Sequence, residues 1–277
     1  MTANADQIDY WNGPSGEKWV RNQAVMDASL ADATAALLPL ADIRPGERVL
    51  DIGCGSGELS LLAADAVGAS GLVTGADVSR PLLALARQRA AERANVRFLE
   101  ADAATHAFAP EYDLLVSRFG VMFFDDPVVA FANLRRAAVP GGRLAFVCWR
   151  SVAENEYAAM PFAVAQPQMP PLPPADPNAP GPFALSDPDR LRGILAEAGF
   201  CAIDIAPLDG VMRMGATPEA AGIQATSLGP TARALAKMDE DVRARVVAAV
   251  TDAFRAWPKT DGVITCRIAC WLVRATA

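Results

Sequence analysis

The chain has 277 residues, a length that suits one large domain or a core domain with an added lid. Hydrophobic residues make up 52% of it, which is enough for a buried core and excludes a globally disordered chain. The formal net charge of -7 argues against nucleic acid as the main partner, because an acidic protein has no general attraction to phosphate groups. We expect no secretory signal and no membrane span, since no stretch has the required pattern of charged and apolar residues.

The five cysteines are odd in number, and no pair has zinc-ligand spacing with a companion pair. Cys266 and Cys270 lie four residues apart in a predicted strand, about 13 Å, which is too far for a disulfide. We therefore expect reduced, mostly buried thiols, a cytoplasmic location and no metal site.

The chain begins with helical segments. Residues 3–24 predict two short helices separated at Asn12-Gly13-Pro14, a strong turn signal. Residues 27–40 repeat apolar residues at helical spacing, which predicts one amphipathic helix.

Strand-like and helical segments alternate from residue 48 to residue 149. The strand-like runs are VLDI (49–52), LVTGADV (72–78), VRFLEA (96–101), YDLLVSRF (112–119) and RLAFVCW (143–149). The helical segments between them are 57–67, 80–93 and 127–138, with Ser79 as the expected cap of the second and Asp125-Asp126 before the third. Near-continuous apolar strands that alternate with helices predict a parallel sheet covered on both faces.

Residues 161–182 are proline-rich, which predicts a loop or extended segment and not a core element. A surface connection and a flap near a substrate pocket fit this composition equally well, and a partner-binding polyproline motif is a third interpretation.

The remaining segments predict a lid and the last strands. A helix follows the cap at Ser186-Asp187-Pro188 and ends before Gly199. The later elements are a sixth strand at 201–208, helices at 216–236 and 239–256, and a long strand at 264–275.

The sharpest local signal is the run from Asp51 to Gly57, DIGCGSG, where a predicted strand turns into a helix. Glycines there allow tight turns and close approach of a ligand, and the following helix presents free N–H groups. A dinucleotide-binding loop would require a third glycine at position 58, but this position holds Glu58. An acidic residue two positions before the first glycine instead suits a ligand that carries an ammonium group.

Two further carboxylates follow the next two strands. Asp77 ends the second strand, 20 residues after Gly57, where a carboxylate can accept hydrogen bonds from ribose hydroxyls. Asp102 follows the third strand, where a carboxylate can accept a hydrogen bond from an adenine amino group. As alternatives, Asp77 could be an ordinary helix cap and Asp102 a loop residue.

The string VLDIGCGSGELSLLAA, followed by GADVSRPLLALARQRA, VRFLEADA, YDLLVSRFGVMFFDDP and LRRAAVPGGRLAFVCW, resembles the class I S-adenosylmethionine (SAM)-dependent methyltransferases. It is most similar to the small-molecule branch that includes the ubiquinone and menaquinone biosynthesis enzymes, over roughly residues 45–150. The resemblance implies a Rossmann-like, doubly wound α/β sheet of seven mostly parallel strands, the last antiparallel. Residues 1–44 would be covering helices, 45–150 the SAM-binding core, and 151–277 the proline-rich loop, a helical lid and the final strands.

The resemblance also implies roles for individual residues. The methionine part of SAM would lie against Asp51, Gly53, Cys54, Gly55 and Gly57. The rest of the cofactor site would comprise Asp77 at the ribose, Val78 on the adenine face, Asp102 and Ala103 at the adenine edge, Ser117 and Arg118 beside the sulfonium and the acceptor, and Tyr10, Trp11 and Trp19 as a cover.

The sequence offers no obvious catalytic base. His106, the single histidine, and Arg118 are the two candidates, but His106 could be a loop residue and Arg118 could pair with an acid. The donor is already activated, so positioning and desolvation could suffice. The residues that could line an apolar acceptor pocket, or equally form core, are Phe119, Val121, Met122, Phe123, Phe124, Met160 and Phe162.

Some subclasses are disfavoured and some alternatives stay open. Ser117-Arg118-Phe119-Gly120 departs from the Asn/Asp-Pro-Pro-aromatic motif of adenine and glutamine methyltransferases, and it offers no cluster of metal ligands. A SAM-binding protein of the same fold without methyl transfer, with a cyclase-like or binding role, is the main alternative. An NAD-dependent oxidoreductase is a third hypothesis, against which Glu58 argues. The partner is expected to be a small molecule, and a homodimer is possible.

Overall fold

The computed structural model describes residues 4–171, 176 and 178–277. Four helices open the described chain. The turn at Gly13 separates the first two, as the sequence predicts, because Gly13 is extended and Pro14 begins the next helix. These helices are α1 (Ala5–Asn12), α2 (Pro14–Arg21), α3 (Gln23–Ser29) and α4 (Ala31–Ala41).

The prediction of one helix over 27–40 is wrong, because the helix is broken at Leu30. The α3 and α4 helices are bent by 65° there. The Ser29 hydroxyl donates to the Val25 carbonyl (2.7 Å) and to the Arg213 carbonyl (2.9 Å), which attaches the end of α3 to a distant strand. The α4 helix instead packs on the sheet with Ala33 and Leu37 fully buried. Two different packing surfaces therefore divide one amphipathic pattern into two helices.

The sheet follows the predicted alternation. The strand order is β3-β2-β1-β4-β5-β8-β6, and a short β7 pairs with β8 outside this order. The strands are β1 (Arg48–Ile52), β2 (Leu72–Asp77), β3 (Val96–Glu100), β4 (Tyr112–Arg118), β5 (Ala138–Trp149), β6 (Cys201–Gly215), β7 (Lys259–Thr260) and β8 (Val263–Thr276).

The first five strands pair in parallel, and β8 is antiparallel to both β5 and β6. This is the Rossmann-like, doubly wound α/β sheet of seven main strands with the last antiparallel, which confirms the expected fold class. Leu114, Leu115 and Val116 are consecutive in β4 and all fully buried. Because successive side chains point to opposite faces, both faces of the sheet are covered.

Two strands are at least five residues longer than the sequence predicts. The β5 strand begins at Ala138 and not at Arg143, and β6 runs seven residues past Leu208. The extension of β6 pairs with β8 through Gly215, opposite Ile264. This pairing with a strand far along the chain has no local signal in the sequence.

The helices of the core flank the sheet. Asp126 caps its helix by accepting from Val129 N (3.0 Å), whereas the Ser79 hydroxyl donates to the Trp11 carbonyl (2.8 Å) and does not cap the next helix. The core helices are α5 (Glu58–Val67), α6 (Arg80–Arg89), α7 (Pro127–Ala137) and α9 (Pro188–Glu197).

The proline-rich segment is partly a core element, contrary to the prediction for 161–182. The α8 helix (Glu156–Ala165) includes Pro161, which is buried. Asn155 docks this helix on β8, since its amide donates to the Ala269 carbonyl (3.1 Å) and accepts from Ala269 N (2.9 Å). Tertiary contacts thus hold a helix that a proline would otherwise discourage. Residues 172–175 and 177 of the segment lie outside the described residues.

The helices predicted to form a lid lie between β6 and β8 in the chain. The single helix predicted at 216–236 is two helices, because Thr226, Ser227 and Leu228 interrupt it. The lid helices are α10 (Pro218–Ala225), α11 (Gly229–Leu235) and α12 (Glu240–Arg255). Within the described ranges, no single helix is long and apolar enough to cross a membrane, and the bent pair α3 and α4 meets that test only by length and composition.

Candidate functional site

The main cavity lies at the carboxyl ends of the parallel strands. The ends of β1, β2, β3 and β4 meet there, and α1, α2, α3 and the lid helix α11 contribute to the wall. Ligands of open α/β sheets bind at this edge, where the strand order reverses between β1 and β4.

The glycine loop after β1 forms one wall. Gly53 (φ +65°) is in the left-handed region, and a Cβ there would lie 2.6 Å from the Gly120 Cα. Gly55 (φ +54°) has no neighbouring atom within 4 Å of such a Cβ, so its backbone is open to a ligand. Gly57 is different, because its Cβ would meet the Phe98 ring at 2.9 Å. Gly57 is therefore a packing residue and is not part of the cavity lining.

Asp51 lies at the base of this wall. Its side chain is 1% exposed, and Oδ2 accepts from the Ser60 hydroxyl (2.6 Å). Oδ1 is buried and has no hydrogen-bond partner among the described residues. Burial raises the pKa of Asp51 to about 6, although Ser60 and the Arg118 charge act in the opposite direction. An orphaned carboxylate oxygen in a cavity wall is a ready site for a cationic ligand group.

The Asp77 carboxylate is hydrogen-bonded to the backbone of the glycine loop. Its Oδ2 accepts from Gly55 N (2.8 Å) and its Oδ1 from Ser79 N (2.8 Å). Burial raises the pKa of this carboxyl, and the backbone hydrogen bonds to Ser79 and Gly55 partly offset the effect. The carboxylate therefore fixes the loop geometry as well as lining the cavity.

The ends of β2 and β3 are hydrogen-bonded to the N-terminal segment of the chain. The Val78 carbonyl accepts from the Asn12 amide (2.8 Å), and Asp102 Oδ1 accepts from the Asn4 amide (2.9 Å). Asn4 also donates its backbone N–H to Asp125 Oδ2 (2.6 Å). Val78, Asp102 and Ala103 all line the cavity, and Asn4 joins them there.

Aromatic side chains of α1 and α2 cover the half of the cavity that lies at the ends of β1, β2 and β3. Trp11 makes edge contacts with Tyr10, Trp19 and Phe123, at centroid distances of 5.2, 5.8 and 5.6 Å. All four residues line the cavity. The predicted covering aromatics are therefore brought together at the site.

The two residues after β4 have different surroundings from those expected. The Ser117 hydroxyl donates to the Ile52 carbonyl (2.7 Å) and accepts from Gly120 N (3.0 Å). Ser117 is fully buried and lies behind the cavity wall, where it ties the ends of β1 and β4 together.

Arg118 lines the cavity, but its guanidinium is paired with two acidic side chains. It pairs with Glu58 and with Asp27 (3.4 Å), and it donates to the Thr34 hydroxyl (2.7 Å). The Arg118 and Asp27 side chains are each 13% exposed. This ion cluster joins β4 to α3, α4 and α5, so the alternative of a structural pair describes Arg118 better than a catalytic role.

His106 is outside the cavity. Its ring packs on Phe108 at 4.6 Å, and its backbone carbonyl accepts from the Asn133 amide (2.8 Å). The loop interpretation of this histidine fits, because His106 is not among the described residues that line the cavity.

The opposite half of the cavity is apolar and aromatic. Phe119 stacks on Trp149 at 4.1 Å, and Trp149 contacts Tyr157 at 4.8 Å. Of the expected apolar residues, four line the cavity and three do not; the lining ones are Phe119, Met122, Phe123 and Phe124, and the others are Val121, Met160 and Phe162.

Sequence reasoning missed several lining residues. Asn4, Asp27, Tyr157 and Arg233 come from four separate helical regions and meet only in the folded chain. Local patterns carry no signal for them, apart from the turn preference of asparagine at Asn4, which is left-handed (φ 59°). Within the described part of the chain, no group of three or more His, Cys, Asp or Glu side chains is placed to hold a metal ion.

Comparison with known proteins identifies the fold and the family. A family model described as "Methyltransferase domain" matches residues 49–142. The chain is 39% identical over 113 residues to aklanonic acid methyltransferase DauC of Streptomyces sp. (strain C5), covering 40% of this chain and 51% of that protein. It is 32% identical over 176 residues to the ubiquinone/menaquinone biosynthesis C-methyltransferase UbiE of Teredinibacter turnerae, covering 59% and 70%.

Solved structures share the fold at low identity. One is the Haemonchus contortus phosphoethanolamine N-methyltransferase 2 in complex with S-adenosyl-L-methionine, with a TM-score of 0.59, 18% identity and coverage of 100% of this chain and 60% of that chain. Another is the YcgJ protein of Bacillus subtilis, with a TM-score of 0.58, 17% identity and coverage of 89% and 98%. The match to DauC spans about half of that relative, whereas the match to UbiE spans more than two thirds. With the glycine loop and its sheet in place, the chain belongs to the class I SAM-dependent methyltransferases, in their small-molecule branch.

Proposed function

We propose that this protein transfers a methyl group from SAM to a small-molecule acceptor. The observation that carries the proposal is the buried Asp51 carboxylate, whose Oδ1 has no partner in the described structure and which lines the cavity beside the open backbone of Gly55. A cationic ligand group there would satisfy the orphaned oxygen and offset the cost of burying a charge.

The residues around the cavity fit this cofactor. The ammonium group of its methionine part would lie at Asp51, against Gly53, Cys54 and Gly55. The ribose hydroxyls would lie at Asp77, and the adenine between Val78, Asp102 and Ala103, under the cover of Trp11 and Trp19. When bound, SAM supplies an electrophilic methyl group on a positively charged sulfur.

The chain's own contribution is binding, orientation and exclusion of water. The aromatic cover of α1 and α2 and the apolar opposite half would keep solvent from the reacting groups. His106 is outside the cavity, and Arg118 is held by Glu58 and Asp27. We therefore propose that the rate enhancement comes from positioning and desolvation, without a strong protein base.

Calorimetric titration of SAM, S-adenosylhomocysteine (SAH) and NAD tests the cofactor. We expect both adenosyl ligands to bind, NAD to give no heat, and Asp77→Ala to weaken adenosyl binding at least tenfold, since a charge-assisted hydrogen bond to ribose is lost. Asp189→Ala is the matched control, because Asp189 is exposed on α9 and is not among the residues that line the cavity. Failure of both adenosyl ligands to bind would contradict the proposal.

Turnover is tested separately with methyl-labelled SAM and a panel of small acceptors, followed by product analysis. Transfer of label to an acceptor supports methyl transfer and identifies the methylated atom as O, N or C. Tight SAM binding with no labelled product from any acceptor would favour the binding or cyclase-like alternative. We further propose a cytosolic location, because a reducing compartment suits five free cysteines, four of them buried.

A further inference from the structure

The cavity has two chemically different halves. The cofactor half carries three carboxylates, Asp51, Asp77 and Asp102, which suit the positively charged cofactor of the proposed function. We call the opposite, largely aromatic half of the cavity the distal half. Its residues are Phe119, Trp149, Tyr157, Leu228, Gly229 and Arg233.

The distal half is a continuous surface. The stacked Phe119 and Trp149 rings lead to Tyr157, and the Tyr157 Cε2 lies 3.9 Å from the position that a Cβ on Gly229 would occupy. Gly229 and Arg233 are four residues apart in α11, so they lie on the same face of that helix. The aromatic wall and the cation can therefore contact one small molecule.

Tyr157 carries a hydroxyl that is without a partner in the described part of the chain. The residue is 3% exposed and lines the cavity, yet no hydrogen-bond partner for its hydroxyl occurs in the described structure. Burial, with a smaller effect of the nearby Cys270, raises the pKa of this phenol well above its ordinary value. Tyr157 is thus a protonated donor that faces a ligand site.

Arg233 is an exposed residue that lines the cavity, and no acid among the described residues offsets its positive charge. Its guanidinium lies against Gly181 and donates to the Pro180 carbonyl (3.2 Å), and none of the ion pairs in the described structure includes it. The other cation of the cavity, Arg118, is already paired with Asp27 and Glu58. A guanidinium has five N–H donors, so one backbone bond leaves most of them available.

We propose that the distal half binds a planar, apolar acceptor that carries an anionic oxygen, with the Tyr157 hydroxyl donating a hydrogen bond to the acceptor and Arg233 offsetting its charge. The inference rests on the proposed methyl transfer and narrows its acceptor class. The aromatic wall selects a flat molecule by offset or edge contacts, and the two polar groups select an oxygen-bearing acid over a neutral or cationic compound.

The test is calorimetry on the SAH-saturated protein with three naphthalene probes. 2-Naphthoate is planar and anionic, 2-naphthamide is planar and neutral, and decahydro-2-naphthoate is anionic but not planar. We expect 2-naphthoate to bind at least fivefold more tightly than either of the other two. Arg233→Gln should weaken the naphthoate roughly threefold and leave the naphthamide unchanged, because the guanidinium is exposed and its charge is screened by water, whereas Tyr157→Phe should weaken both roughly tenfold.

Matched controls separate local effects from general ones. Arg245→Gln removes an exposed lid cation outside the cavity lining, and Tyr112→Phe removes a buried phenol hydroxyl from β4, so neither should alter probe binding. SAH affinity, measured first, shows that each variant is folded.

Three results would overturn the acceptor class while SAH still binds. These are no heat from either planar probe, a naphthamide as tight as the naphthoate, or an Arg233→Gln effect no larger than that of Arg245→Gln. If the wild-type protein does not bind SAH, this result instead contradicts the proposed function, and the acceptor class with it.

Discussion

Asp51 is the most informative residue of the site, because burial disfavours the charged form of its carboxyl group. Burial raises the pKa of Asp51 from 3.8 to about 6, so the folded protein without ligand binds this proton more tightly than the unfolded chain does. Stability of the unliganded protein therefore falls as pH rises from about 4 to about 6, and the full penalty, about 3 kcal/mol at most, is present above that range. The groups that set this pKa besides burial are Ser60, Arg118 and Asp77.

A first prediction follows for Asp51→Asn. The amide keeps a hydrogen-bond acceptor for Ser60 but carries no charge, so we expect the unliganded variant to be about 1–3 kcal/mol more stable than wild type at pH 7.5 and nearly equal at pH 4. Wild-type SAH affinity should decrease as pH falls through about 6, and the variant should bind SAH weakly at every pH. Denaturant unfolding and calorimetry at both pH values measure these effects. Equal stability at pH 7.5 would contradict the assigned cost of burial, and Asp189→Asn is the control.

At the scale of elements, the glycine loop depends on close contact between two strand ends. A Cβ on Gly53 would lie 2.6 Å from the Gly120 Cα, and the backbone there is left-handed (φ +65°). Gly193, in the middle of α9, has no neighbouring atom within 4 Å of a Cβ and is exposed. The same substitution should therefore have opposite effects in the two elements.

We expect Gly53→Ala to destabilise the protein by roughly 2–4 kcal/mol, since it combines backbone strain with an overlap that only a shift of β1 or β4 relieves. Gly193→Ala should stabilise it by about 0.5–1 kcal/mol, because alanine has the better helix propensity and a smaller loss of backbone entropy. Unfolding in denaturant measures both changes. A neutral Gly53→Ala would mean that the loop and Gly120 are less closely packed than the structure indicates.

At the scale of the whole molecule, one ion cluster couples the N-terminal helices to the sheet. Arg118 of β4 pairs with Glu58 of α5 and Asp27 of α3, and Arg89 of α6 also pairs with Asp27 (3.0 Å). Burial raises the pKa of Glu58, although the Arg118 charge acts in the opposite direction. Loss of the central cation would leave two mostly buried acids beside each other.

For this reason Arg118→Met should lower the free energy of unfolding by about 3–5 kcal/mol. It should also speed amide exchange in α3 and α4, which the cluster holds against the sheet. The control is Arg274→Met, which breaks an exposed pair with Asp204 and should change stability by less than about 1 kcal/mol. Denaturant unfolding and hydrogen exchange distinguish the two variants. Equal effects would show that the cluster does not hold the N-terminal helices in place.

The sequence alone determined the alternation of strands and helices and the glycine loop, whereas the antiparallel last strand was expected only from the resemblance to the family. The alternation and the glycine loop are local features, since strand and helix periods and turn residues act over a few neighbouring positions. The same local reasoning failed at Leu30 and at residues 226–228, where packing on different surfaces interrupts a continuous helical pattern.

Only the tertiary structure decided which side chains meet in the cavity. Asn4 reaches Asp102 across 98 positions of the chain, and Arg118 reaches Asp27 across 91. The same is true of the distal half, where Tyr157 and Arg233 come from two helices that touch at Gly229. Such contacts depend on how α1–α4 and the lid helices pack on the sheet, and no short-range pattern encodes that packing. The position of the cofactor loop is therefore a property of the local sequence, whereas the cover over it and the acceptor half are properties of the assembled fold.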